Sequence, residues 1–583
     1  MKHLSWMCLF CGLSFLGWSQ KDGQDGKIWL DGFARTFFSR DALPPNSEDT
    51  LSSRSSAQGY NLLDLNTHVN PNEDVEVFAQ VRIRNEFGGF FGQGTSVEVR
   101  QLRASGVLRD RVRFGVGDLF LRQSTFTLSA PDHEGTDPWG KAFRNYTDIV
   151  DYENFFVDDR WRMQGLQAGT TFRFDRGLRT LGCDGFVTRP RGSQALSETA
   201  YAPDQLFTGV SLVAEITKDW SMQAHHSNFF EAPLTGTQTT TIGNPVWHVK
   251  AIRNFSSEGG QWQWTGDVGW SQRIWSHHDP EVLDLDSVAS SSDGLFWTAA
   301  AAWTAPDSSW RVEGGWRHVE PDFRSAGAQT KRMSYGSDQM AQVYPMLGNG
   351  QSLRPFGMFD VLSDPTRGNQ LLQGTLMPFH PVYGNVMPYG AATPNRQGGW
   401  MSAQTLSSAR STQWKLEGGL HTEIVGQGTV EKRKFGTLGM GASGDLGEWL
   451  GSGRSWTWSV YERLEHTRRG GNDIESIQLT SSHLTMSSAF SLADDLFLQA
   501  SVKHVMGEGQ EYLNVRDELG TLVNYERVEY DVKDWMAMGG LTYQFSDHVY
   551  TSVQWGSWGV FNQAMEANGV NARQFMVVLS AEL

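Results

Sequence analysis

The chain has 583 residues, of which 39% are hydrophobic, 12% aromatic and 20% charged, with 23 Trp, 63 Gly and a formal net charge of −16. That aromatic content excludes a disordered chain, and an acidic balance with no basic block excludes nucleic acid as a partner. The length allows several soluble domains or one very large architecture.

The chain starts "MKHLSWMCLFCGLSFLGWSQ". Lys2 opens a positive segment, Leu4 to Phe15 is an apolar run, and Gly17 and Ser19 are small residues two apart. This predicts a secretory signal peptide over 1–19 and a single mature domain over 20–583. Cys8 and Cys11 leave with the signal, so Cys183 is alone and no intramolecular disulfide forms. No later segment has 18 consecutive apolar residues, and mean hydropathy is −0.41. Helical membrane spans are therefore excluded. If the chain crosses a membrane, it crosses as a closed β-barrel, in which every backbone group finds a partner.

The elements that follow have period two. In "DVEVFAQVRIRNE", Val75, Val77, Ala79, Val81 and Ile83 share one face, opposite Glu76, Gln80, Arg82 and Arg84. In "GQWQWTGDVGWSQRIW", Trp262, Trp264, Val268 and Trp270 oppose Asp267 and Arg273. In "SSWRVEGGWRHVE", Trp310, Val312 and Trp316 oppose Arg311, Glu313 and Arg317. "RSWTWSVYERLEH" and "VYTSVQWGSWGVF" behave alike. Runs of about 10–14 residues suit tilted bilayer-crossing strands. A soluble sheet would bury the tryptophans; a membrane barrel turns them to lipid and the charges to its lumen.

Link lengths separate these two. Short turns fall at 70–73, 109–111, 175–177, 218–219, 306–309, 493–495 and 546–548, rich in Asp, Asn, Gly and Pro. Long polar links fall at 39–58, 123–160, 189–206, 231–245, 276–293 and 507–524. Short turns at one end and long loops at the other mark an outer-membrane barrel. No blade repeat supports a propeller. The prediction is all-β: a large antiparallel transmembrane β-barrel of about 20–22 strands, range 16–22, with short periplasmic turns and long extracellular loops. The terminal stretch "RQFMVVLSAEL" alternates Phe575, Val577, Leu579, Ala581 and Leu583 against Gln574, Met576, Val578, Ser580 and Glu582, as a closing strand does.

With that ending the chain resembles the bacterial outer-membrane β-barrels, porin-like members included, and its size and signal ending "SQ" resemble those of Bacteroidota-type bacteria. The resemblance implies residence in the outer membrane of a Gram-negative bacterium, with outer-membrane lipid and the barrel-insertion machinery as partners. That machinery reads a C-terminal strand that usually ends in an aromatic residue; here Leu583 stands there.

Over 321–397 the alternation fails, and eight of the 19 prolines lie there, too many for regular strands. Phe356, Met358, Phe359, Met377, Phe379, Tyr383, Met387 and Tyr389 need cover. This insertion either plugs the mouth or lumen, docks a partner, or packs on itself as a cap. The lumen-facing charges Arg82, Arg84, Asp267, Arg273, Arg311, Glu313 and Arg317 either set solute preference or pair with each other to keep the wall wet. His225 and His226 point to opposite faces of a strand and cannot share a metal; His277 and His278 fall in a link. "DGQDG" lacks the loop length and terminal glutamate of a calcium site. No P-loop, zinc spacing or dinucleotide fingerprint occurs. No cofactor, metal or catalytic set is predicted, and the chain reads as a non-enzyme. The leading function is a pore or gated channel for small polar solutes. The alternative is a closed barrel serving a larger secretion or surface assembly, docking other outer-membrane subunits through its loops. A soluble secreted all-β protein is the third reading.

Overall fold

In the computed structural model the described residues are 27–43, 54–88, 94–130, 138–139, 141–195, 201–232, 239–278, 287–329, 346–348, 351–353, 381–406, 412–516, 522–562 and 567–583. They contain one antiparallel sheet of 22 strands. In chain order the first are β1 (Ile28–Leu43), β2 (Arg54–Asn72), β3 (Val75–Glu86), β4 (Thr95–Leu108), β5 (Val112–Leu121), β6 (Trp161–Arg173) and β7 (Thr180–Arg191). Next come β8 (Asp204–Glu215), β9 (Trp220–Ala232), β10 (Thr239–Ser257), β11 (Gly260–His278), β12 (Ser287–Thr304), β13 (Trp310–Val319) and β14 (Arg396–Thr405). The last are β15 (Thr412–Thr422), β16 (Lys434–Asp445), β17 (Trp456–Arg469), β18 (Ile477–Ala493), β19 (Leu496–Arg516), β20 (Leu522–Ser546), β21 (Val549–Asn562) and β22 (Ala567–Glu582). Each strand pairs with its neighbours in sequence. The sheet closes because β1 also pairs with β22, from Phe33 opposite Glu582 to Ala42 opposite Arg573.

Alternation decides the two surfaces. On β11, Val268 and Trp270 are each 48% exposed on the outside, while Ser271 is fully buried and Asp267 faces in. Trp270 stacks on Trp247 of β10 at 5.1 Å, along the same outer face. On β13, Val312 and Trp316 are exposed, and on β22 so are Phe575 and Leu579. Inward, β22 presents Gln574, Met576 and Val578, all buried. A closed sheet with an apolar outside satisfies its backbone within itself and its side chains in hydrocarbon. It is a transmembrane barrel.

The strand count lies at the upper end of the predicted range, and the Gly-rich strand β14 pairs fully between β13 and β15. Short links gather at one end: β2–β3, β10–β11, β18–β19 and β20–β21 are each joined by two residues. Long ones, 122–160 and 320–395, gather at the other. Loop boundaries at that long-loop end need correction. The polar composition predicts a link over residues 507–524, yet β19 and β20 stay paired through Glu508 opposite Asp531 to Val515 opposite Asn524. His277 and His278 likewise lie on β11 rather than in a link. Beyond the bilayer both faces meet water, so pairing continues while the apolar/polar alternation that betrays a strand disappears.

Two tests follow. The folded barrel should keep a distinct mobility in unheated SDS and lose it on heating; recovery of the protein in the soluble fraction without detergent would contradict a membrane barrel. Val268→Arg should reduce insertion more than Asp267→Asn, since a mid-membrane cation on the lipid face costs about 2–4 kcal/mol. Equal yields for the two would contradict the facing.

Candidate functional site: the lumen and its inserted segments

A barrel of this size has a bore that wall side chains cannot fill. Two loops from the long-loop end enter it. The first, 122–160, carries α1 (Arg144–Asn154). In "RNYTDIVDYEN" the spacing of Tyr146, Ile149 and Val150 makes one apolar stripe. Phe143 and Phe155 bracket the helix in the left-handed conformation. Eleven residues are too few for a stable isolated helix, so packing holds it. Its stripe lies in a cluster with Phe37, Tyr60, Leu62, Met536, Met538, Trp558 and Met576. Burial of Ile149 and Val150 contributes about 1.5–3 kcal/mol each.

Polar bonds anchor the same helix. Tyr146 Oη donates to Gln574 Oε1 at 2.8 Å, and Asn145 Nδ2 to Ser552 Oγ at 2.8 Å. At its C-terminal end Glu153 accepts from Arg35 at 2.8 Å and also from Arg82. Arg82 in addition grips Asp64 with two bonds of 2.7 Å. Arg100 donates to Asp64 Oδ2 at 3.2 Å and to the carbonyl of Glu153 at 2.9 Å. Tyr152 Oη donates to Asp64 at 2.5 Å. Burial first, and the Asp64 charge second, push the Tyr152 phenol well above its ordinary pKa. Three guanidiniums on β1, β3 and β4 thus share two carboxylates, one of the wall and one of the inserted helix, and Arg100 also uses backbone carbonyls.

The second loop is the insertion between β13 and β14. Near its start, Arg324 N donates to Ser271 Oγ at 2.9 Å and Ala326 N to Asn244 Oδ1 at 2.9 Å. Burial, then the like charge of Arg273, pushes the Arg324 guanidinium down to about 10. Phe323 packs edge-on to Phe296 at 5.0 Å, and Phe296 stacks on Phe126 of the first loop at 3.9 Å. Ser129 N donates to the Gly327 carbonyl at 3.2 Å, so the two loops touch inside the bore. Near its end, Tyr383 Oη donates to Asp534, His483 Nε2 to the Val382 carbonyl at 3.0 Å, and Asn385 N to Glu465 at 3.0 Å.

Of the predicted insertion residues, Tyr383, Met387 and Tyr389 are buried against inward wall residues. Phe356, Met358, Phe359, Met377 and Phe379 lie outside the described residues. The predicted charges are dispersed around the lumen. Arg82 anchors α1. Arg84 bonds Glu86 at 2.6 Å and covers the Tyr60 ring at 3.9 Å. Asp267 accepts from His248 at 2.9 Å and Thr298 at 2.7 Å. Arg311 meets Glu313 at 3.2 Å. Arg273 and Arg317 occupy inward positions of β11 and β13. His225 bonds Ser211 at 2.9 Å on the inside, while His226 stacks on Trp247 outside. Among the described residues no group of three His, Cys, Asp or Glu could hold a metal.

The residue pattern alone singles out neither Tyr152 and Glu153, which lie in the long polar link 123–160, nor Arg35, Asp64 and Arg100, whose inward wall positions look like any other polar position of an alternating strand. The apolar stripe of α1 was the available signal.

No protein-family model and no curated protein matches this chain. Solved structures do. Pseudomonas aeruginosa OpdQ is 8% identical with a TM-score of 0.35, covering 95% of this chain and 97% of its own. Acinetobacter baumannii OccAB2 is 7% identical with a TM-score of 0.34, covering 95% and 98%. A loop-deletion mutant of OmpT, an outer membrane protein of Vibrio cholerae, is 8% identical with a TM-score of 0.24, covering 96% and 100%.

Glu153→Ala should free α1, because it strips two buried arginines of a counter-charge; breaking such a pair costs about 3–5 kcal/mol. Limited proteolysis in detergent should then cut within 122–160 while the barrel remains intact. Unchanged protection would mean that the apolar stripe alone retains the helix.

Proposed function

We propose that the chain is an outer-membrane channel for small polar solutes whose bore is narrowed by its own two inserted loops. The observation that carries this reading is the polar inner wall of a closed 22-strand barrel. Asp64, Gln80, Arg82, His225, Ser271, Glu465, Ser481, Ser501, Gln554 and Gln574 all sit buried on inward positions. Several of them bond the inserted loops, and polar side chains recur all around the inner face, as a passage for polar solutes requires and an apolar core does not. In this proposal Arg82 serves the helix, and Asp267, Arg273, Arg311, Glu313 and Arg317 set solute preference. Placement with Bacteroidota-type barrels is part of the proposal and rests on the signal ending and the size.

A second reading, a closed barrel docking other subunits, draws on a specific observation. The described parts of the insertion are held to the wall by apolar clusters at both ends, as a permanent seal would be.

Planar-bilayer recording separates the two. Replacing 324–392 with a short Gly/Ser linker should leave a barrel that inserts, because the wall strands keep their hydrogen bonds. Conductance should then rise several-fold over the full-length chain. Flat conductance together with loss of a co-purifying subunit would favour docking. Failure to insert would show that the insertion is needed to build the wall.

A further inference from the structure

We infer that Arg317 and His421 form a subsite for an oxyanion, the phosphate, sulfate or carboxylate group of a solute, on the lumen wall. The inference rests on the channel reading and names the chemistry that the channel selects.

Register brings the two side chains together. Arg317 of β13 is opposite Gly398 of β14, and Gly398 is opposite His421 of β15. All three are at inward positions. Glycine has no side chain, so a guanidinium and an imidazole flank a gap. With strands about 4.8 Å apart their Cα atoms are about 10 Å apart, within joint reach of a small ligand. A Cβ on Gly398 would lie 2.0 Å from the Leu420 carbonyl oxygen and 2.7 Å from the His421 Cα, so no side chain can close the gap without moving the backbone.

Among the described residues neither group has an acceptor. His421 is 7% exposed, yet neither ring nitrogen is hydrogen-bonded, and the buried Arg317 Nε is also unpartnered. The charges acting most strongly on His421 are Arg317 and Arg396, both cations. Arg396 spends its donors on the carbonyls of Val386, Asn385 and Asn395 and lies over the Phe435 ring at 3.6 Å. The carboxylate that acts on Arg317 is Asp267, already committed to His248 and Thr298. On β15 itself Glu417 pairs with Lys415 at 2.9 Å, and just after the strand Glu423 accepts from the Arg433 backbone at 2.9 Å. Among the described residues no carboxylate makes an ion pair with Arg317 or Arg396. The wall of β1–β4 is different: its arginines Arg35, Arg82 and Arg100 each pair with Asp64 or Glu153.

Buried donors without acceptors are costly, and burying a guanidinium without a counter-ion more so. A ligand with several anionic oxygens removes both penalties, and a guanidinium can grip two of its oxygens at once.

The test uses the full-length barrel in a planar bilayer in KCl, with inorganic phosphate as the probe. Phosphate should reduce the chloride current saturably. Arg317→Gln should weaken that block about tenfold or more, the worth of a charge-assisted bond, and His421→Gln several-fold. Lys415→Gln, a paired cation on the same wall, should leave it unchanged. Sulfate and acetate in place of phosphate report how many anionic oxygens the subsite uses. Equal weakening by all three variants would reveal only a general field, and an unaltered block in Arg317→Gln would overturn the subsite. If Arg317→Gln fails the unheated-SDS folding check, His421→Gln and Arg317→Lys carry the test. Calorimetric titration of phosphate into detergent-solubilised barrel separates the two readings. Arg317-dependent binding without any current would retire the channel and keep the subsite; current without Arg317-dependent binding would do the opposite.

Discussion

Everything in this molecule depends on the hydrogen bonds between β1 and β22. An open sheet in hydrocarbon would leave a row of unpaired N–H and C=O groups at each edge, each costing several kcal/mol. Pairing Phe33 with Glu582 through Ala42 with Arg573 removes both edges. Closure then divides every strand into an outer and an inner set, and the period of the pleat assigns each residue to one of them. Trp264 and Val268 go to lipid, and Asp267 and Ser271 to the interior. The tryptophans of β11 need no core of their own, since the bilayer is their solvent.

Closure at 22 strands also creates the problem that the loops address. The bore is wide, and the chain fills part of it with its own segments. Those segments are held by two kinds of force. Apolar stripes on α1 and at both ends of the insertion supply burial, and buried charges supply position. Asp64 and Glu153 sit among Arg35, Arg82 and Arg100, so the helix end cannot slide without exposing one sign of charge to an unmatched other. Such a cluster adds little net stability over an apolar one, but its geometry specifies where α1 rests.

The lumen is therefore not electrostatically uniform. On the β1–β4 side the cations are spent on protein carboxylates. On the β13–β15 side Arg396 is bonded to carbonyls and lies over the Phe435 ring, while Arg317 and His421 have no hydrogen-bond acceptor among the described residues. The two sides of the inner wall therefore differ: arginines paired with carboxylates on one, and donors without acceptors among the described residues, those of Arg317 and His421, on the other.

Much of this was legible in the order of residues alone. Period-two alternation is a local property of an extended backbone, so the outward Trp262, Trp264 and Trp270 and the inward Asp267 and Arg273 could be assigned without coordinates. So could the closing strand at the C-terminus, the sorting of short and long links, and the insertion after Val319. The strand extensions above the membrane could not, because water on both faces erases the alternation while β19 and β20 remain paired. Nor could the inward path of 122–160 or the level at which α1 sits. Those depend on contacts such as Tyr146 with Gln574, Glu153 with Arg35 and Tyr383 with Asp534, made between residues that are distant in the chain and become neighbours only once the barrel has closed. The gap at Gly398 is of the same kind. Glycine, arginine and histidine 81 and 23 residues apart along the chain share one row of the wall only through strand register, and register is a property of the closed sheet.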